Sequence, residues 1–202
     1  MAVSPQLTTR VTNILKQPAQ EWAVIAAEPA DVASLMGGYA APLAAVTAIC
    51  RLIGTSVIGI SLPFMGTYRV GIVRGVVGAI VSWVFALVGA YIGAIVIEKL
   101  APTFKSSGST VQALKLVVYA STPVWVAGVL NLIPALSPLI IIAALYAVYL
   151  FYLGLPPVMK TPIDQVIPYM IVAAIVIIVV SLCLGFVAAA ISGVGSMGMG
   201  TL

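Results

Sequence analysis

Five predominantly apolar runs occupy most of the chain from Tyr39 onward: Tyr39 to Ile60, about Val70 to Ile97, Val111 to Ile133, Leu139 to Leu155 and about Ile167 to Ile191. A helix needs about 17–25 such residues to cross the roughly 30 Å hydrocarbon core of a bilayer. The fourth run sits near that minimum, and the second and fifth are long enough to tilt. Backbone groups in lipid must satisfy one another, which leaves helices or closed barrels. Barrel strands alternate apolar and polar residues over about 10 positions, and these runs do not. The expected fold class is an all-α membrane protein with five transmembrane helices and an N-terminal amphipathic interfacial helical segment.

Composition decides what such a chain can do. Charged residues are 7% of the chain, against about 25% in soluble domains. There are no histidines, five acids and two cysteines, Cys50 and Cys183, in different apolar runs. The cysteines read as buried small hydrophobes. No metal spacing, phosphate loop or acid/base pair occurs, so no metal, no cofactor and no enzymatic activity are expected. The nine basic residues are too dispersed for nucleic-acid binding.

Three regions follow. Residues 1–33 form a cytoplasmic amphipathic segment, 34–192 the five-helix domain and 193–202 a flexible Gly/Met-rich tail. In the first, Leu7, Val11, Ile14 and Leu15 share a helical face beside Arg10 and Lys16, and Pro18 opens a second short helix carrying Trp22 and Ile25. The pair is expected to lie on the membrane surface; the competing reading is a partly ordered tail. Asp31 or Ser34 can cap the first span, and Ser109-x-x-Gln112 fits a capping box for the third.

Basic residues set the orientation. Arg10, Lys16, Lys99, Lys105, Lys115 and Lys160 fall on one side, and Arg69 and Arg74 on the other. This places the N-terminus in the cytoplasm and the C-terminus outside.

Arg51 is the most informative residue, because a charge near mid-membrane costs about 2.5–3.5 kcal/mol on insertion scales. It should face the bundle interior, with Thr47 and Thr55 one turn either side. It is either an anion, lipid or solute contact, or a structural arginine bonded to carbonyls. Lys115 can snorkel to the cytoplasmic surface. Tyr146 and Tyr149 are candidate cavity lining, although interfacial or packing roles compete. Small residues four apart (Gly71 and Gly75, Gly89 and Gly93, Gly185 and Ala189) mark faces for close helix contact, within the chain or against a second copy.

Several pieces together resemble the Yip1 family of five-span membrane proteins in its short bacterial form. They are Pro18-x-x-x-Trp22-x-x-Ile25-x-x-Glu28-Pro29, Tyr39-x-x-Pro42-Leu43, Ala113-Leu114-Lys115 leading to Tyr119-Ala120-x-x-Pro123, Leu150-x-Tyr152-Leu153-Gly154-Leu155-Pro156, and Met159-Lys160-Thr161-Pro162. The resemblance implies a cytoplasmic N-terminus and five helices. Eukaryotic members act in vesicle traffic and bind Rab-type GTPases. In this chain the N-terminal segment is short and the acidic Asp-Leu-Tyr-Gly-Pro signature of those members is absent, Gly38-Tyr39-x-x-Pro42 being its nearest echo.

Two functions fit. One is a membrane adaptor or organiser working through helix–helix and lipid contacts, with the bilayer and a homo-oligomer or membrane-protein partner. The other is a small transporter or channel for a solute, ion or lipid, with Arg51 in a polar intramembrane site.

Overall fold

The computed structural model describes residues 5–62 and 66–191. Two short helices open the chain, α1 (Pro5–Lys16) and α2 (Pro18–Ala27), split by Gln17 with Pro18 at the first turn of α2. Proline suits that position because its missing N–H has no helical partner there.

The first span runs Ser34–Ile58 and starts earlier than the sequence predicts. Asp31 is the reason. Its carboxylate accepts from the Ser34 N–H (2.6 Å), while the Ser34 hydroxyl accepts from the Asp31 N–H (3.3 Å). The helix then passes a wide π-helical turn, Ser34–Ala40, in which the Ala41 N–H reaches back to Met36 O. The wide turn absorbs Pro42, and α3 (Ala41–Ile53) continues to a second π-helical turn, Gly54–Ile58. Arg51 therefore lies about two turns from the far end, not at mid-span. Hydrogen bonds from Ser34 hold the Asp31 carboxyl below its ordinary value. A depressed carboxylate stabilises above its ordinary pKa, and that contribution is lost as pH falls through the folded value. Hydrogen exchange at the Ser34 amide should accelerate in that acid range, and Asp31→Asn, which keeps the acceptor, should abolish the acid dependence.

A two-stranded antiparallel hairpin follows, β1 (Ile60–Leu62) and β2 (Gly66–Tyr68), entered through Gly59 at φ +93°. It lies where the sequence suggests only a loop. α4 (Ile72–Leu100) extends through a 3-10 turn to Phe104. The third span is not one helix. α5 (Thr110–Ala120) ends before Pro123, α6 (Thr122–Ala127) restarts, and a 3-10 segment finishes at Leu132. The Ser109–Gln112 capping box is present, with Ser109 N–H to Gln112 Oε1 at 3.0 Å.

The fourth span, Pro134–Met159, is longer than the sequence predicts. α7 (Ile140–Met159) does not stop at Leu155 but continues through Pro156 and Pro157. Those prolines fall near its C-terminus, where the hydrogen-bond ladder is ending and each lost N–H costs least. α8 (Ile163–Ile191) likewise begins ahead of Pro168.

The five spans thus agree with the expected fold class, but their arrangement differs in one respect. Within Val118–Met159 the buried residues lie at the two ends, Val118 to Gly128 and Leu150 to Met159, and none of those between is buried. In the third span 61% of the most apolar window is buried, against 17% in the fourth and 6% in the fifth. The helices carrying α5 and α6 form the core, and α7 and α8 turn most of their apolar surface to lipid.

Candidate functional site

Two places concentrate polar chemistry. The first is a dock for the N-terminal helix pair at the near end of the bundle. Trp22 and Ile14 are fully enclosed, and Ile25 nearly so. The Trp22 ring sits over Gly154. A Cβ on Gly154 would lie 2.8 Å from that ring and 2.6 Å from Leu116 Cδ1, so no larger residue fits unless the tryptophan moves. Trp22 also meets Tyr119 edge-on at 6.4 Å, and Tyr39 meets Tyr119 at 4.6 Å. The Tyr39 hydroxyl pairs with Thr122 Oγ1 at 2.9 Å.

Polar groups finish the dock by satisfying helix ends. The last carbonyls of a helix have no internal partner and favour a cation. Lys115, 4% exposed, donates to Ile25 O at 2.8 Å and also to Glu28 O, at the end of α2. The Tyr146 hydroxyl donates to Leu15 O at 2.8 Å, at the end of α1. Arg10 joins the two helices. It donates to Glu28 Oε1 at 2.6 Å and to Glu21, and lies 5.9 Å over the Tyr119 ring. Burial alone would lower the Arg10 pKa, but the two carboxylates outweigh it and raise the value.

These placements revise two sequence readings. Lys115 does not snorkel to the surface; its ammonium is turned beneath α2, where two carbonyls await it. Tyr146 does not line a cavity with Arg51, because its hydroxyl is spent on Leu15 O. Tyr149 packs beside Tyr146 at 5.8 Å with 48% of its surface exposed on α7. Replacing Lys115 with Met leaves both α2 carbonyls without a donor. Unsatisfied buried groups cost about 1–3 kcal/mol each, so limited proteolysis should cut between α2 and Ser34 faster in Lys115→Met than in the unaltered protein.

The second place is a groove of about 840 Å³ between α3, α4, α5, α6 and α8, reaching the hairpin at its far end. Arg51 and Arg74 line that end, and Ser82, Ser121, Trp125 and Ser181 lie further in. Arg51 is exposed to the groove rather than enclosed in packed side chains. The two neighbouring hydroxyls donate to backbone carbonyls. Thr47 donates to Trp125 O at 3.0 Å, and Thr55 to the Arg51 carbonyl at 2.9 Å. α7 contributes nothing to the groove wall.

The small residues divide in the same way. Gly75 packs against Leu52 and Ser56, Gly89 against Leu184, and Gly93 against Val117. These are contacts within the chain, between α4 and its neighbours. Gly71 and Gly185 have no atom within 4 Å of a Cβ position. Ala189, like the tail 193–202, falls outside the residues whose side chains are described.

The dock was only partly legible. Trp22, Gly154, Tyr119 and Lys115 stand out in sequence as separate pieces, but nothing in their spacing shows that they meet. Glu21, in the first turn of α2 and 7% exposed, gave no sequence signal beyond its charge.

Five apolar spans, a helix pair seated on one end and a lipid-facing groove at the other define a polytopic integral membrane protein. The Yip1 domain model matches residues 12–199, and the chain belongs to the Yip1 family. Neither a curated protein nor a solved structure matches it significantly.

Proposed function

We propose that the chain is a non-enzymatic membrane adaptor, seated in a prokaryotic inner membrane with its N-terminus cytoplasmic, and that the docked helix pair is its recognition surface. The observation that carries this reading is the dock itself. Trp22, Lys115, Tyr146 and Arg10 tie α1 and α2 to two membrane helices, α5 and α7. A loose tail would leave those helix ends to water. Held this way, the pair carries a polar hollow lined by Gln6, Thr9, Arg10, Asn13, Glu21, Val24 and Glu28. A preorganised surface loses less entropy on binding than a segment that must order first. The expected partner is a membrane protein or a second copy of this chain.

A photocrosslinking residue at Val24, 46% exposed, tests this in native membranes. A discrete protein adduct, lost when Trp22 is removed, supports the adaptor. Crosslinks to lipid alone, with a strict monomer in native mass spectrometry, overturn it.

A transporter is the second reading, favoured by the accessible Arg51. The groove, however, draws no wall residue from α1, α2 or α7. It closes near Ala90 and Val117, and the near half of α5 is packed solid at Ala113, Leu114 and Leu116. Flux of an anion through liposomes containing the purified protein would favour transport over the adaptor.

A further inference from the structure

We propose that the groove is a binding site for one anionic phospholipid, with the phosphate at Arg51 and Arg74 and an acyl chain lying between α4 and α8. Charge is the first observation. The five acidic side chains are Glu21, Glu28, Asp31, Glu98 and Asp164, and every one belongs to the end of the bundle that holds the N-terminal pair. The far end carries Arg51, Arg69 and Arg74 and no side-chain carboxylate. Among the described residues, neither Arg51 nor Arg74 has an ion-pair partner. A cation this close to lipid needs an anion, and the lipid phosphate is the anion a bilayer supplies. Guanidinium forks match phosphate oxygens well.

Register is the second observation. Gly75 packs on Leu52 and Ser56, which sets the first turn of α4 level with the last turns of α3. Arg74 and Arg51 therefore reach the groove at neighbouring depths.

Shape is the third. Ligand pockets commonly measure about 300–1,000 Å³, and this one is about 840 Å³. Beyond the arginines its wall is small or apolar: Gly78, Ala79, Val81, Phe85, Ala86 and Gly185 among others. Positions 78 and 185 have no atom within 4 Å of a Cβ, so the space is open rather than filled by a neighbouring helix. A charged end joined to an apolar trough is the outline of a headgroup and its chain. The site opens sideways to the bilayer, in the leaflet opposite the N-terminal pair.

The test is native mass spectrometry of the full chain from detergent micelles doped with phosphatidylglycerol and phosphatidylcholine of identical acyl chains. Phosphatidylcholine carries the same phosphate but sets a quaternary ammonium beside it, which two arginines repel, so phosphatidylglycerol should be retained over phosphatidylcholine by about tenfold or more, with one lipid bound. Arg51→Gln with Arg74→Gln should erase that preference. Gly78→Leu fills the trough, leaves both charges in place and raises helix propensity. It should lower phosphatidylglycerol retention as well, and Gly185→Leu makes the same test from α8 should the first variant misfold. Equal retention of the two lipids by the unaltered protein overturns the proposal, independently of any variant. So does displacement of the lipid by glycerol phosphate, which carries the anion without a chain. Unchanged retention in a folded Gly78→Leu or Gly185→Leu protein would place the chain elsewhere and overturn it too. None of these outcomes bears on the Val24 crosslink, so the adaptor reading stands or falls separately.

Discussion

Trp22→Ala should release the N-terminal helix pair from the bundle while leaving the five spans in place. Removing a fully buried tryptophan typically costs about 3–5 kcal/mol, and Trp22 has no exposed surface. Two contacts are lost at once: the face over Gly154 and the edge against Tyr119. The remaining polar ties to the bundle are Lys115 to the end of α2, Tyr146 to the end of α1, and Arg10 over the Tyr119 ring. Net contributions of single hydrogen bonds are about 0.5–1.5 kcal/mol each, too small together to hold a pair of short helices against the entropy gained on release. Hydrogen–deuterium exchange should therefore show loss of protection across α1 and α2, with protection in α5 retained. Gly154→Val should reproduce the effect from the other side of the contact, because its branched side chain would occupy the space of the tryptophan ring. Trp22→Phe provides the control. It keeps a ring over Gly154 and removes Nε1, which has no hydrogen-bond partner among the described residues, so it should retain protection. If Trp22→Ala keeps α1 and α2 protected, the dock is held by its polar ties and the apolar contact is secondary.

The same contact shows what the sequence could and could not disclose. The five spans are legible because lipid leaves no alternative for long apolar runs, and the pairing of Ser109 with Gln112 is legible because a cap is a local event. The Asp31–Ser34 cap is legible as a local event, but the apolar run begins only at Tyr39, so hydropathy alone starts the first span too late. The prolines at 156 and 157 suggest a stop, but proline near a helix end removes bonds that are already scarce. Lys115 shows the deeper limit. Near the end of an apolar run, a lysine ordinarily snorkels, and only the fold reveals two carbonyls from α2 above it. Arg51 was recognised as exceptional from its place in an apolar run alone. Its companion Arg74 has the sequence context of an ordinary flanking charge and joins it only because Gly75 lets α4 approach α3. Residues that act through distant partners are silent in a single sequence; those that act through the bilayer are not.

The other large effect is expected at Gly54, where α3 gives way to its second π-helical turn. A Cβ there would lie 1.9 Å from Asn131 O and 3.1 Å from Leu132 O. Both are backbone atoms of the 3-10 segment that ends the third span, so no rotamer change relieves the overlap. Overpacking that side chains can absorb costs about 1–3 kcal/mol; here either α3 or the Gly128–Leu132 segment must shift as a body. The neighbouring contact allows little movement, since Thr47 lies against Gly128 and donates to Trp125 O. Asn131 is itself fixed, with its amide on Gly128 O at 2.9 Å and its carbonyl accepting from Ser137 at 3.2 Å. Gly54→Ala should accordingly lower the thermal midpoint in detergent by more than Gly37→Ala, a helical glycine in the same span with nothing within 4 Å of its Cβ position. Alanine at Gly37 should be neutral or mildly stabilising, by up to about 1 kcal/mol, because it restricts the unfolded chain. The pair separates close approach from general glycine effects. A midpoint for Gly54→Ala equal to that of Gly37→Ala would mean that the third span does not meet α3 at this level. The floor of the groove beside Arg51 would then have to be built differently, since the Gly54 contact fixes how far α6 and its Trp125 stand from α3.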